Sequence, residues 1–322
     1  MNVVWNFCNE TQLKARRWNK VWPNYATLCE LTAGSTRELN LHSQTVQAVC
    51  QEYEARRRAA RKAKLRWRGK RSLGWVPFKK VGVKVNSSTV RYGGETFRYW
   101  LSRPIEGTLK TGSFSQDARG RWYVNFQCEV EATPPSQRTA AIGIDLGLKD
   151  FATLSTGEKI EAPRLYRELE EKLAIAQRAR DKDRIKAIHA QIANCRKDFL
   201  HKLSTRLVNE YGAIFVGNVN ASKLIRTRMA KSILDAGWSA FRTLLRYKAI
   251  SHGVVFEEVD EAFSTRTCSE CGALSGPKGI AGLGIRDWAC TECGVHHDRD
   301  VNSAKLILAL GCQRLAGGIP AL

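Results

Sequence analysis

Residues 140–148 read AAIGIDLGL, an apolar run of strand length that closes on an acid, Asp145, and a glycine-containing turn. Short runs with no polar alternation belong to strands buried on both faces. FATLSTGEKIE (151–161) follows as the hairpin partner of that strand. Residues 165–211 are charged and helical, in two helices. AIFVGNV (213–219) is a second buried strand, and a helix is expected over 231–251. VVFEEV (254–259) is a third strand ending at Asp260-Glu261, and a last helix runs from about Val301 to Leu310. Strands interleaved with helices make the region from Thr139 onward α/β.

Two other textures precede it. Residues 1–64 are helical, broken at Pro23 and at Gly34-Ser35 into about three helices. Val46, Val49, Cys50 and Tyr53 form an apolar stripe at three- and four-residue spacings. Trp22 and the other early aromatics are expected in the core. Residues 65–138 are short runs of Val, Tyr, Phe, Trp and Thr between Gly and Asn turns, as in VGVKVNSSTVRYGGETFRYWL (81–101) and RGRWYVNFQCEVEA (119–132). They predict a small β-barrel or open sheet, closed by the linker ATPPSQR (132–138).

The chain has 322 residues, with 52 Lys and Arg against 31 Asp and Glu, a formal charge of +21. That excess points to a polyanionic partner, most simply nucleic acid. With 43% apolar residues the chain can build a core. No apolar stretch of about 18 residues is present, so no membrane span is expected. MNVVWNFCNETQLKARR (1–17) lacks the layout of a signal peptide. The isolated cysteines at 8, 29, 50, 128, 195 and 312 read as buried thiols in a reducing cytosol.

Cys268-x2-Cys271, then 18 residues, then Cys290-x2-Cys293 is a pair of knuckles able to present four thiolates to a tetrahedral Zn²⁺. Gly272 and Gly294 permit the tight turn after each pair. Four thiolates leave no open coordination position, so the zinc is structural. His296 and His297 lie just beyond as less favoured ligands.

Asp145 at a strand end and Asp300 in HDRDVNSA (297–304) are acids on separate elements. Two-metal phosphodiester chemistry needs such acids to converge on Mg²⁺ ions about 3.5–4 Å apart. Each acid alone also reads as a cap or turn residue, Asp300 in particular as the N-cap of the last helix. Together they suggest a ribonuclease-H-like core. From Arg56 to Lys80 runs a stretch of basic residues without a single acid, interleaved with Trp67, Trp75 and Phe78. Its candidate nucleic-acid contacts are Arg57, Arg61, Lys64, Arg66, Trp67, Arg68, Lys70 and Arg71. Arg178, Arg180, Lys182, Arg184, Lys186, Arg196 and Lys197 offer a second basic face.

IGIDLGLKDFATLSTGE (142–158), NCRKDFLHKLS (194–204), FSTRTCSECG (263–272) and HDRDVNSAKLIL (297–308) together resemble TnpB, the RNA-guided nuclease family of bacterial insertion sequences, related to compact type V CRISPR effectors. The resemblance is strong over 139–310 and less specific before it. It implies a ribonuclease-H-like (RuvC) domain over 139–322 with an inserted four-cysteine zinc ribbon at about 264–297. A helical recognition lobe (1–64) and a small wedge-like β-barrel (65–138) would precede it. It implies a Mg²⁺-dependent endonuclease, a guide RNA of the omega-RNA kind, double-stranded target DNA with a short flanking motif, and a nucleoid-associated place in a bacterial cytoplasm. Asp145 and Asp300 fall on the family's first and third RuvC acids.

The second acid does not transfer. The family's Val-Glu-Asp-Leu-Asn pattern is replaced by Val216-Gly217-Asn218-Val219-Asn220, and neither Gly217 nor Asn218 offers a carboxylate. Either Glu261, at the end of the neighbouring strand where the family has Asp-Pro, takes over the metal, or the site is dead and the protein binds without cutting. Asp260 matches an acid that the family already has. VWNFCNETQ (4–12) resembles the start of the first recognition helix, with the family's preceding strand missing. A strand-joining transposase would carry its acids in the order Asp, Asp, Glu, whereas here the order is Asp, Glu, Asp.

Overall fold

The computed structural model describes residues 1–62, 64–131, 133–218, 237–278 and 281–316. Val219, Asn220 and the first residues of the helix expected at 231–251 lie outside them. The chain divides into two compact units, Met1–Glu131 and Ala132–Leu322.

In the first unit, α1 (Asn2–Arg17), α2 (Tyr25–Leu31), α3 (Ser35–Leu39) and α4 (Ser43–Ala60) close around Trp5, Cys8, Leu28, Val46, Val49, Cys50 and Tyr53. The stripe read from the sequence is therefore the buried face of α4. Trp22, expected in the core, is 42% exposed, because the Arg57 guanidinium covers its ring at 5.1 Å in place of an apolar layer. Leu65 and Trp75 also pack on this helical core, so the helices and the strands that follow share one unit.

Six strands follow: β1 (Trp75–Lys79), β2 (Val83–Val85), β3 (Thr89–Tyr92), β4 (Glu95–Arg98), β5 (Thr108–Gln116) and β6 (Trp122–Glu129). Of the barrel or open sheet expected here, the described residues form two antiparallel sheets, β1-β5-β6 and β2-β3-β4, with no hydrogen-bonded seam between them to close a barrel. Aromatic rings join them. Phe114 on β5 lies 5.7 Å from Tyr92 and 5.4 Å from Phe97, and Phe126 on β6 lies 5.6 Å from Tyr99.

In the second unit, β7 (Ala141–Leu146), β8 (Asp150–Leu154), β9 (Lys159–Glu161), β10 (Ala213–Gly217) and β11 (Val255–Val259) form one sheet in the order β11-β10-β7-β8-β9. β7, β10 and β11 run parallel, while β8 is antiparallel to both its neighbours. Helices α5 (Leu165–Arg178), α6 (Lys182–Glu210) and α7 (Trp238–His252) lie between the strands in sequence. The last elements are β12 (Asp287–Ala289), β13 (His296–Asp298) and α8 (Arg299–Ala316).

The side-chain period of two sorts each strand between two cores. Ile142 and Ile144 of β7, with Ile214 and Val216 of β10, pack on Leu200, Leu203 and Leu207 of α6 and on Trp238, Phe241 and Leu245 of α7. Phe215 and Val259 pack on Ile307 of α8 instead. Gly143 and Asp145 of β7 share that second face with Gly217 of β10. Gly143 lets α8 press against the sheet: a Cβ there would stand 2.1 Å from the Ala304 carbonyl oxygen and 2.6 Å from the Leu308 nitrogen. Both are backbone atoms of a buried helix, with little room to yield. Gly143→Ala is therefore expected to cost about 3 kcal/mol, the upper end of the overpacking range, read as a lower Tm in thermal unfolding. An unchanged Tm would contradict this apposition.

Candidate functional site

The close approach of α8 to β7 brings the start of the helix against the end of the strand. Asp298 is the N-cap, since its Oδ1 accepts from the amides of Asp300 and Val301, both at 3.0 Å. The capping role open to Asp300 in the sequence thus falls to Asp298, and the Asp300 carboxylate is left for other partners. It accepts from Arg286 Nη1 at 2.5 Å and from Arg299 Nε at 3.4 Å.

Asp145 faces the same corner. Burial, the Glu261 and Asp300 charges, in that order, push its carboxyl up to about 8, against the smaller opposing pull of Arg299 and a hydrogen bond with Ser303. The Ser303 hydroxyl donates to Ser264 Oγ at 2.7 Å, which ties this corner to the turn after β11.

Glu261 sits in that turn. β10 and β11 are adjacent and in register, Gly217 opposite Val259. The chain turns at once, with the Ser264 amide donating to the Glu261 carbonyl at 3.0 Å. The side chain folds back over β10: a Cβ on Gly217 would lie 2.6 Å from Glu261 Oε2 and 3.5 Å from Glu261 Cβ. The space vacated at 217 is the space the Glu261 carboxylate fills. Burial raises the Glu261 pKa, opposed by Arg242. Asp260 is exposed and caps Ala262, with Oδ1 accepting that amide at 3.1 Å. Among the described residues, only the four cysteines form a set of three or more metal-type ligands all within 4.8 Å of one another, so the three carboxylates stand wider apart as a set.

That cysteine set is built from two copies of one turn. Cys268 donates its amide to the Ala273 carbonyl (2.8 Å) and accepts from Gly272 (3.0 Å). Cys290 repeats both bonds with Val295 (2.9 Å) and Gly294 (3.0 Å). Gly272 and Gly294 take φ of +78° and +71°, the left-handed region that favours glycine. The Sγ atoms of Cys268 and Cys293 are 3.7 Å apart, and those of Cys271 and Cys290 are 3.6 Å apart. A tetrahedron with metal–sulfur bonds of ~2.3 Å has edges of ~3.8 Å, so the donor set fits a structural Zn²⁺. His297 is not among the four. It is buried, its Nε2 lies 3.0 Å from Cys268 Sγ, and its ring lies 4.7 Å from that of Trp288.

Asn302, buried on α8, connects the knuckles to the acid corner. Its Nδ2 donates to the carbonyls of Thr267 (2.7 Å) and Ser264 (3.3 Å), and its Oδ1 accepts from the Ser269 amide (2.8 Å). Sequence reasoning missed Ser303, Asn302, Arg286 and Arg299. The only signal for Arg299, Asn302 and Ser303 was their place in the HDRDVNSA run, and nothing in the sequence marked Arg286.

The basic candidates divide. Arg57 is a correction: it is buried, 3.8 Å from Glu54 and over the Trp22 ring, so it is not free to meet phosphate. Arg68 turns inward, with Nε donating to Asn2 Oδ1 (3.0 Å) and Nη2 to the Leu73 carbonyl (2.7 Å). Arg61, Lys64, Arg66, Trp67, Lys70 and Arg71 are exposed.

Two outcomes are expected. A group whose folded pKa is raised gives stability that is fully present below its unfolded pKa and lost as pH rises through the folded value. Without Mg²⁺, stability should therefore fall between about pH 4 and pH 8 as Asp145 ionises. Asp145→Asn should raise Tm by several degrees at pH 8 and by little at pH 4; a rise equal at both pH values would contradict the buried charge. Stripping zinc with a thiol-reactive mercurial should release one equivalent of metal and lower Tm, measured by a colorimetric chelator and by unfolding.

Two family models match in order along the chain: "Probable transposase" OrfB_IS605 over residues 125–228, and the Cas12f1-like TNB domain over 238–307. A "Putative RNA-guided DNA endonuclease" of Streptomyces pristinaespiralis is 39% identical over 67% of this chain and 57% of its own length. InsQ of Escherichia coli K12, described in the same words, is 30% identical over 69% of this chain and 61% of its own. TnpB-like protein L79 of Acanthamoeba polyphaga mimivirus is 25% identical over 65% and 45%. The chain thus spans about three-fifths of the length of the first two relatives. A Cas12f1–sgRNA–target DNA complex superposes with a TM-score of 0.42 at 13% identity, over 95% of this chain and 93% of that one. With the two models matching in order over 125–228 and 238–307, and relatives up to 39% identical aligned over about two-thirds of its length, the chain belongs to the TnpB family.

Proposed function

We propose that the chain is the nuclease of a transposable element, an RNA-guided DNA endonuclease that hydrolyses target phosphodiesters with Mg²⁺ held by Asp145, Glu261 and Asp300. The observation that carries this reading is the Glu261 carboxylate lying over Gly217, from where its charge acts on the Asp145 carboxyl. A sheet in the order β11-β10-β7-β8-β9, with three adjacent parallel strands and β8 antiparallel to both its neighbours, supports a ribonuclease-H-like (RuvC) core.

The residues fit a hard divalent cation. All three donors are carboxylates, and the corner holds negative charge that burial makes costly without a counter-ion. Bound Mg²⁺ would supply Lewis-acid activation of the scissile phosphate and of water. Ser303 orients the Asp145 carboxyl. Arg286 and Arg299 hold Asp300. Arg242 tempers the charge at Glu261. Target sequence would be read by pairing with a guide RNA, and the protein would read a short flanking motif and duplex shape, as in effectors of this logic.

The test is cleavage and target binding by the protein purified with its co-expressed RNA. Glu261→Gln should cut plasmid at least ~100-fold more slowly with target binding unchanged. Glu261→Ala should be inactive, and adding Gly217→Glu to it should restore cutting, because the two positions compete for one space. Full activity in Glu261→Ala, or a wild type that binds its target and never cuts, would overturn the proposal.

A further inference from the structure

One face of α1 carries asparagines at positions 2, 6 and 9, spacings of four and three that align side chains along a helix. All three are turned on the backbone of the basic stretch. Asn9 pairs with Leu65 in both directions, Nδ2 to the carbonyl at 2.8 Å and amide to Oδ1 at 2.9 Å. Asn6 does the same with Arg68, at 2.7 and 2.9 Å. Asn2 donates to the Gly69 carbonyl at 3.2 Å, and Trp5 Nε1 to the Arg66 carbonyl at 3.1 Å. Side-chain amides thus do for residues 65–69 what a neighbouring strand does in a sheet.

The clamp sorts the side chains. Leu65 goes into the helical core, and Arg68 lies back over the rings of Trp5 and Trp75 at 5.9 and 5.7 Å. Lys64, Arg66, Trp67, Lys70 and Arg71 are left pointing to solvent, with Trp67 43% exposed. Among the described residues none of these four cations forms an ion pair with an acid. An exposed indole flanked by unpaired cations cannot reach a base inside a duplex, but it offers a stacking platform to one that is unpaired.

We infer that residues 64–71 are a preorganised strap for a single-stranded stretch of nucleic acid, with Trp67 stacking a base, Arg66, Lys70 and Arg71 meeting phosphates, and Asn6 and Asn9 as positioning residues. The inference extends the partner side of the proposed function and needs no working carboxylate site. Because the backbone is already held, binding does not have to order it, and affinity gains by that saving.

The test is fluorescence anisotropy of the full chain, without Mg²⁺, on oligouridine and oligothymidine of about 16 nucleotides, across a salt series. Trp67→Ala should weaken binding about tenfold at unchanged salt slope, and Trp67→Phe should recover it. Replacing Arg66, Lys70 and Arg71 with Ala should cut the slope of log K against log salt by about 2. Asn6→Ala with Asn9→Ala should weaken binding while keeping the slope, and should deprotect the Leu65 and Arg68 amides in hydrogen exchange. Equal loss on both oligonucleotides supports the shared single-strand chemistry; loss confined to one supports it and names the sugar. Wild-type binding by both Trp67→Ala and the triple variant would overturn the strap. So would a blunt duplex that binds as tightly and loses as much on Trp67→Ala.

Discussion

Carboxylates gathered at one corner of a protein repel each other, and burial makes that repulsion worse. In this chain the corner lies where β7, the turn after β11 and the start of α8 meet. Asp145 responds with a carboxyl held up to about 8. Arg242, Arg286 and Arg299 surround the acids and offset part of the charge. That electrostatic cost is what the proposed cation site would relieve. The packing around it builds the corner: Gly143 admits α8, Gly217 admits the Glu261 side chain, and Asp298 takes the cap, which leaves the Asp300 carboxylate to Arg286 and Arg299.

The cysteine knuckles and the acid corner are stitched by neighbouring residues of one helix turn. Asn302 binds the backbone at Ser264, Thr267 and Ser269, and Ser303 binds Ser264 and Asp145. The turn that carries Glu261 is therefore braced from α8 on one side and leads directly into Cys268 on the other. A structural metal among the thiolates would stiffen the same turn, although it lies outside the carboxylate corner. The position of Glu261 is thus a property of the whole second unit.

Some of this was legible in the residues alone and some was not. The knuckles were, because each pair of cysteines and its glycine act within six residues, and the hydrogen bonds repeat as the spacing implies. The strands β7, β10 and β11 were, because an apolar run leaves few alternatives. Arg57 was misread: its charge looked available, yet Glu54 one turn earlier and Trp22 from a distant loop enclose it. The choice between a barrel and open sheets was not legible either. Alternation specifies strands, but the aromatic contacts that hold two sheets together without a hydrogen-bonded seam link residues far apart in the chain.

Local chemistry was therefore settled by the amino acids in order: which segments form strands, where four thiolates meet, that Gly217 has no carboxylate and that an acid stands at 261. Whether that acid serves the vacancy depends on where a side chain points after a turn, and on which atoms occupy a volume over another strand. Only the packed sheet decides that, since the register of β10 with β11 and the bracing from α8 set the distance between positions 44 residues apart, which no local spacing encodes.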